Sequence, residues 1–167
     1  MRKSEAITAL ENMAISEAKS KFPSLPHSHF VNTRKYSDNS ANKLTKCCID
    51  WLRLNGHHAE RINTTGTIRN NCKVVTDCIG RSRQIGTLIW TKNGTTKGSS
   101  DIHAVINGRA VFIEIKFGKD FQSEAQKDFE TTVTKAGAQY LIIKDFQQLF
   151  DWYKKQSPAG TGLLKTL

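Results

Sequence analysis

Asn107-Gly108 lies between two runs of strand-forming residues, Asp101-Ile-His-Ala-Val-Ile106 and Arg109-Ala-Val-Phe-Ile-Glu-Ile-Lys116. The dipeptide accepts the positive φ angles of a two-residue hairpin turn with little strain, so it fixes both the turn and the register of its flanks. Ile106 then faces Arg109, and counting outward Asp101 faces Glu114. Facing side chains share one side of a sheet, with Cβ atoms about 5 Å apart. Lys116, two residues beyond Glu114, joins them because side chains alternate along a strand. The other side carries Ile102, Ala104, Val111, Ile113 and Ile115, an apolar surface that must be covered. His103 faces Phe112 on the side of Asp101, within reach of a substrate, and packing or partial solvation explains it more simply.

Two facing carboxylates repel each other. A cation between them removes the repulsion, and hard oxygen ligands beside a lysine suit Mg²⁺ or Mn²⁺. Taken singly, Asp101 is explained as a strand start and Glu114 and Lys116 as a solvated ion pair. Their coincidence in one register, after the Gly- and Ser-rich loop Thr91–Ser100, favours a metal site.

Charge points the same way. The 167-residue chain carries a net +10, and the excess is uneven. Arg61, Arg69, Lys73, Arg81, Arg83, Lys92 and Lys97 precede the hairpin against Asp77 alone. A basic segment leading into a carboxylate cluster predicts a phosphodiester substrate. Lys97 and Arg61 are candidates for phosphate contacts, as are Ser99 and Ser100 in a loop whose backbone can approach a phosphate closely.

The ordered set Lys97-Gly98-Ser99-Ser100-Asp101, Glu114-Ile115-Lys116 and Ser123-Glu124-Ala125-Gln126 resembles the PD-(D/E)XK nucleases. It is most similar to their VRR-NUC branch, which includes Holliday-junction resolvase-like enzymes, and the resemblance runs from about Ser40 to Tyr153. It implies a restriction-endonuclease-like fold. It also implies that Asp101, Glu114 and the Ile115 carbonyl bind Mg²⁺ or Mn²⁺, that Lys116 supports the attacking water, and that Gln126 lies near the site. DNA, including branched DNA, is the implied partner, and related resolvases are dimers. Two departures stand out. Ser100 occupies a position where proline is common, and the glutamate that many members carry on the preceding helix is replaced near Asn42. Asp38 precedes that helix and is the nearest acid to substitute. A nucleic-acid-binding domain that keeps the fold and cleaves poorly is the alternative reading. A purely structural domain leaves the clustered acids and the basic charge without a cause.

Periodicity predicts an amphipathic helix from Ser4 to about Ser20, then a structureless Lys21–Asn39. A helix Ala41–Leu54 follows, capped by Ser40, with Leu44, Cys47, Cys48, Trp51 and Leu52 inward. Strands are expected near His58–Asn63, Lys73–Cys78 and Gln84–Trp90, with Thr64–Asn71 a polar loop and Ile79–Ser82 a connection. Ser123 and Gln126 form a capping-box pattern for a helix to Lys135, with Ala125, Phe129, Val133 and Ala136 as its buried stripe. Ala138–Ile143 reads as a buried strand parallel to the second hairpin strand, and Asp145 caps a last helix. The outcome is an α/β chain with a central mixed sheet flanked by helices. Residues 1–39 read as an N-terminal helix and linker, 40–156 as the nuclease-like domain, and 157–167 as a mobile tail.

The start Met1-Arg-Lys-Ser-Glu5 lacks the apolar stretch of a signal peptide, and no run is long enough to span a membrane. Cytoplasmic localisation without membrane contact is the expectation. Cys47, Cys48, Cys72 and Cys78 fit no zinc spacing. The first two read as buried helix residues, the others as reduced thiols. His57 and His58 follow a helix end and read as surface residues.

Overall fold

The computed structural model describes residues 4–33, 35–63, 66–91 and 94–156, the side chains of residues 31–33 excepted. Thr64, Lys92 and the tail from Ser157 lie outside them. The elements are α1 (Glu5–Lys21), α2 (His27–Thr33), α3 (Ala41–Leu54), β1 (His58–Arg61), β2 (Thr67–Asn70), β3 (Lys73–Thr76), β4 (Ser82–Ile85), β5 (Leu88–Thr91), β6 (Ile102–Ile106), β7 (Arg109–Ile115), α4 (Glu124–Lys135), β8 (Gln139–Ile143) and α5 (Phe146–Gln156).

The Asn107-Gly108 turn forms with φ of 51° and 78°, and it pairs Ile106 with Arg109 and Ile102 with Ile113. β1 adds antiparallel to β6, and β8 adds parallel to β7 after the α4 crossover, giving the order β1-β6-β7-β8. The chain is therefore α/β with a mixed sheet.

One side of this sheet presents Ile102, Ala104, Ile106, Val111, Ile113 and Ile115, all buried. They share a core with Leu44, Cys47, Cys48, Trp51 and Leu52 of α3 and with Phe146, Leu149 and Phe150 of α5. Helix α1 joins that core through Ala6, Ile7 and Leu10, so it packs on the sheet domain. The Ser4 hydroxyl accepts from Ile7 N at 3.3 Å to start it, and the Gln147 side chain accepts from Ala6 N at 3.2 Å. Such caps satisfy N–H groups that the first turn leaves without helical partners. Asp145 caps α5 by accepting from Gln148 N at 3.0 Å.

α4 lies over the opposite side of the sheet, where Phe129 meets His103, Phe112 and Tyr140. Its expected stripe is shallower than the pattern suggests. Ala125, Phe129 and Val133 are half-buried and Ala136 is exposed, because a single helix covers this side. β8 likewise is not fully buried: Ile143 is, while Ile142 is 39 % exposed.

Three further expectations are corrected. Lys21–Asn39 contains α2, which seats Phe30 in a buried position. The polar segment before Asn71 contains β2, held by pairing with β5. The connection between β3 and β4 is centred on Asp77–Arg81. Strands β2 to β5 stand apart from the sheet and contact only one another among the described elements. No described helix is long and apolar enough to cross a membrane.

Candidate active site

β6 begins one residue after Asp101, level with Glu114 on β7. Asp101 stays fixed beyond the strand end: its carbonyl accepts from Ile62 N at 2.8 Å, and its Oδ2 accepts from Ile115 N at 3.0 Å. The side chain thus supplies the acceptor that the shortened strand no longer provides. Glu114 is 2 % exposed and Lys116 5 % exposed, a rare degree of burial for ionisable residues without partners.

Their partners are specific. Lys116 Nζ lies 3.1 Å from Glu114 Oε1 and 3.5 Å from Asp120 Oδ2, and it donates to Gln126 Oε1 at 3.0 Å. The Gln126 amide donates in turn to Glu114 Oε1. Gln126 Oε1 also accepts from Ser123 N at 2.9 Å, completing the α4 capping box. One glutamine therefore begins a helix and ties the lysine to the glutamate.

Glu114 Oε2 has no hydrogen-bond partner and is buried. Burial, and secondarily the Asp101 carboxylate, hold the Glu114 pKa above its ordinary value, against the opposing effect of Lys116. A buried carboxylate oxygen left without a donor, facing a second carboxylate, has the chemistry of a cation ligand. The fit to Mg²⁺ or Mn²⁺ is favourable but spare. No group of three or more His, Cys, Asp or Glu forms a metal site among the described residues, so an ion here would keep several waters, as Mg²⁺ commonly does.

The loop entering Asp101 is seated on α4. Gly98 has φ +82°, and a Cβ there would come within 2.1 Å of the Ala125 carbonyl oxygen. Both loop serines turn inward. Ser100 is fully buried with Oγ donating to the Ile102 carbonyl at 3.2 Å, and Ser99 Oγ lies 3.1 Å from His103 Nε2. Their hydroxyls serve the fold, so a ligand could meet only the loop's outer surface. Burial lowers the His103 pKa, opposed by Glu60, and the ring packs against Phe112 and Phe129.

Lys97 and Arg61 are exposed. Arg61 donates to Asn42 Oδ1 at 2.9 Å, so the α3 position near which a further acid was expected holds an amide bonded to an arginine. Asp38 Oδ2 accepts from Phe146 N at 3.2 Å, at the start of α5. His58 is exposed and His57 half-buried, the latter 2.8 Å from the Tyr153 hydroxyl.

Two neighbours escaped the sequence reading. Asp120 reaches Lys116 from four residues on, a spacing that could have signalled it. Tyr140 sits beside Phe112 in the parallel register, which becomes legible only once β8 is aligned with β7. Its pKa is raised by burial and then by Glu114. Gln122 lies near the phenol, but no hydrogen bond of ordinary geometry satisfies the buried hydroxyl. No protein-family model matches the chain and no curated protein matches it, so the chemistry of the site rests on its own residues.

Proposed function

We propose that the protein is a divalent-metal-dependent DNA endonuclease with a restriction-endonuclease-like fold, akin to the VRR-NUC branch of the PD-(D/E)XK nucleases. The observation that carries this reading is the convergence of Asp101, Glu114 and Lys116 on one strand end, with Glu114 Oε2 buried and without a donor. Asp101, Glu114 and the Ile115 carbonyl would hold Mg²⁺ or Mn²⁺. Such an ion, when bound, polarises a phosphoryl oxygen and acidifies water. Lys116 orients the attacking water or stabilises the negative charge that grows on the phosphate in the transition state. Gln126 is a positioning residue that holds the ammonium in place. Lys97 and Arg61 contact the phosphate backbone. Branched DNA fits the family likeness, and symmetric cutting of two strands calls for a homodimer. Four free cysteines support a cytoplasmic setting.

A second reading, a binding domain that cleaves poorly, draws on one observation: Asn42 bonded to Arg61 in place of a further acid. A Mg²⁺- and Mn²⁺-dependent cleavage assay on branched, linear and single-stranded DNA separates the two. The expected result is metal-dependent cutting that Asp101→Ala reduces to background with the fold retained. Undiminished cutting by Asp101→Ala would rule out the mechanism.

A further inference from the structure

Strands β2 to β5 form two two-stranded sheets, β2–β5 and β3–β4, which follow one another in a common register and together make a ribbon. Thr67 to Asn70 pair with Thr91 to Leu88, and Lys73 to Thr76 resume the same register with Ile85 to Ser82. Asn71 N donates to Thr87 O at 3.2 Å and Asp77 N to Arg81 O at 3.0 Å, so the hydrogen-bonded pairs stay in phase from base to tip. Side-chain alternation then assigns two faces within each strand pair, and the shared register carries the same faces across the break at residues 71–72 and 86–87.

The division of charge between those faces is complete. Arg69, Lys73, Arg81 and Arg83 fall on one face, and the other carries Ile68, Val74, Leu88 and Trp90 with no charged residue. The ribbon's only acid, Asp77, is engaged in the turn, its Oδ1 accepting from Ile79 N at 3.0 Å and Arg81 N at 2.8 Å. Among the described residues none of the four cations forms an ion pair. The apolar residues of the basic face, Val75, Ile85 and Ile89, are 39–46 % exposed, against 56–70 % for those of the other face. The difference agrees with Arg and Lys stems lying along the β-branched side chains opposite them.

We propose that this basic face is a duplex-DNA-binding arm, separate from the strand end that carries Asp101. For its ligand the inference rests on the nuclease reading. The levels of Arg69, Lys73, Arg83 and Arg81 span roughly 26 Å at about 3.3 Å per residue. That is the rise of about eight base pairs. A two-stranded ribbon fits the major groove of B-form DNA, and unpaired cations gain counterion-release free energy from phosphates. The uncharged face has nothing seated on it that identifies an occupant, so a second copy of the chain is an outcome of the test.

The test combines Arg69→Ala, Lys73→Ala, Arg81→Ala and Arg83→Ala in the full chain and follows binding of a fluorescent DNA duplex across a salt series. The slope of log K against log salt should fall by about three to four, with the loss in KM rather than kcat and the melting temperature unchanged. Unaltered affinity and slope overturn the arm, as does a wild-type chain that binds no duplex. Loss of DNA binding only when Ile68, Val74 and Leu88 are changed to Ser, together with loss of a dimer, also overturns it. If wild type does not cut but the slope falls, the arm stands and the nuclease reading fails. If wild type cuts and the ribbon variant binds normally, the nuclease reading stands and the arm fails.

Discussion

The chain contains two antiparallel hairpins of alternating residues, and they have opposite fates. The β6–β7 hairpin is covered on one side by the core of α3 and α5, with α1 packed on those helices, and on the other by α4. It can therefore hold Glu114 and Lys116 almost out of water. The Thr67–Thr91 ribbon has comparable pairing, but no described helix packs on it, and its residues stay accessible. Strand pairing alone does not decide what a hairpin can do. Coverage creates the low-dielectric surroundings in which ionisable groups change character, whereas an uncovered hairpin leaves charges solvated and free to meet a partner.

The largest effect expected from the covered hairpin is catalytic. Lys116→Ala should lower single-turnover cleavage by about 10²–10³-fold, the scale for removing one charge-stabilising donor. Mg²⁺ affinity should stay near that of wild type, as read by calorimetric titration. Joint loss of metal and activity would assign Lys116 to metal retention instead. Next in size is stability. Leu10→Ala removes a fully buried side chain of α1 and should cost about 2–5 kcal/mol. Val74→Ala on the ribbon, 70 % exposed, should stay within about 0.5 kcal/mol. Urea denaturation of both variants measures the contrast, and equal costs would erase it.

The smallest effect concerns protons. The Glu114 pKa is raised above 4.5 in the folded chain. Between 4.5 and that raised value the metal-free native state binds more protons than the unfolded one. Stability in the presence of chelator should therefore fall as pH rises through this window. Glu114→Gln should remove that component. An identical pH profile for the two proteins would show that Glu114 does not feel its burial.

The covered hairpin was legible because three signals agreed: the Asn-Gly turn, the alternation on its flanks, and an apolar side that had to face a core. The ribbon was only half legible. Thr67-Ile-Arg-Asn70 has one apolar residue and no face to bury, so nothing local marks it as a strand until Leu88–Thr91 pairs with it. α2 shows no periodicity in the sequence either, and among its described side chains, His27 to Phe30, Phe30 is the buried one. At the site, the proximity of Asp101, Glu114 and Lys116 was legible from register, and that of Gln126 from the family likeness. The inward turn of Ser99 and Ser100 was not, because it depends on the seat that Gly98 makes against α4.

The capping box of α4 has a consequence for how the protein would fail. Gln126 Oε1 receives both the first-turn backbone at Ser123 and the Lys116 ammonium. Fraying of that single turn removes the glutamine from the lysine, which is left to Glu114 and Asp120 alone, while the four-stranded sheet is intact. Helix ends open at far lower free energy than cores. On the proposed mechanism, warming or mild denaturant would then silence the enzyme ahead of global melting, and cooling would restore it without refolding.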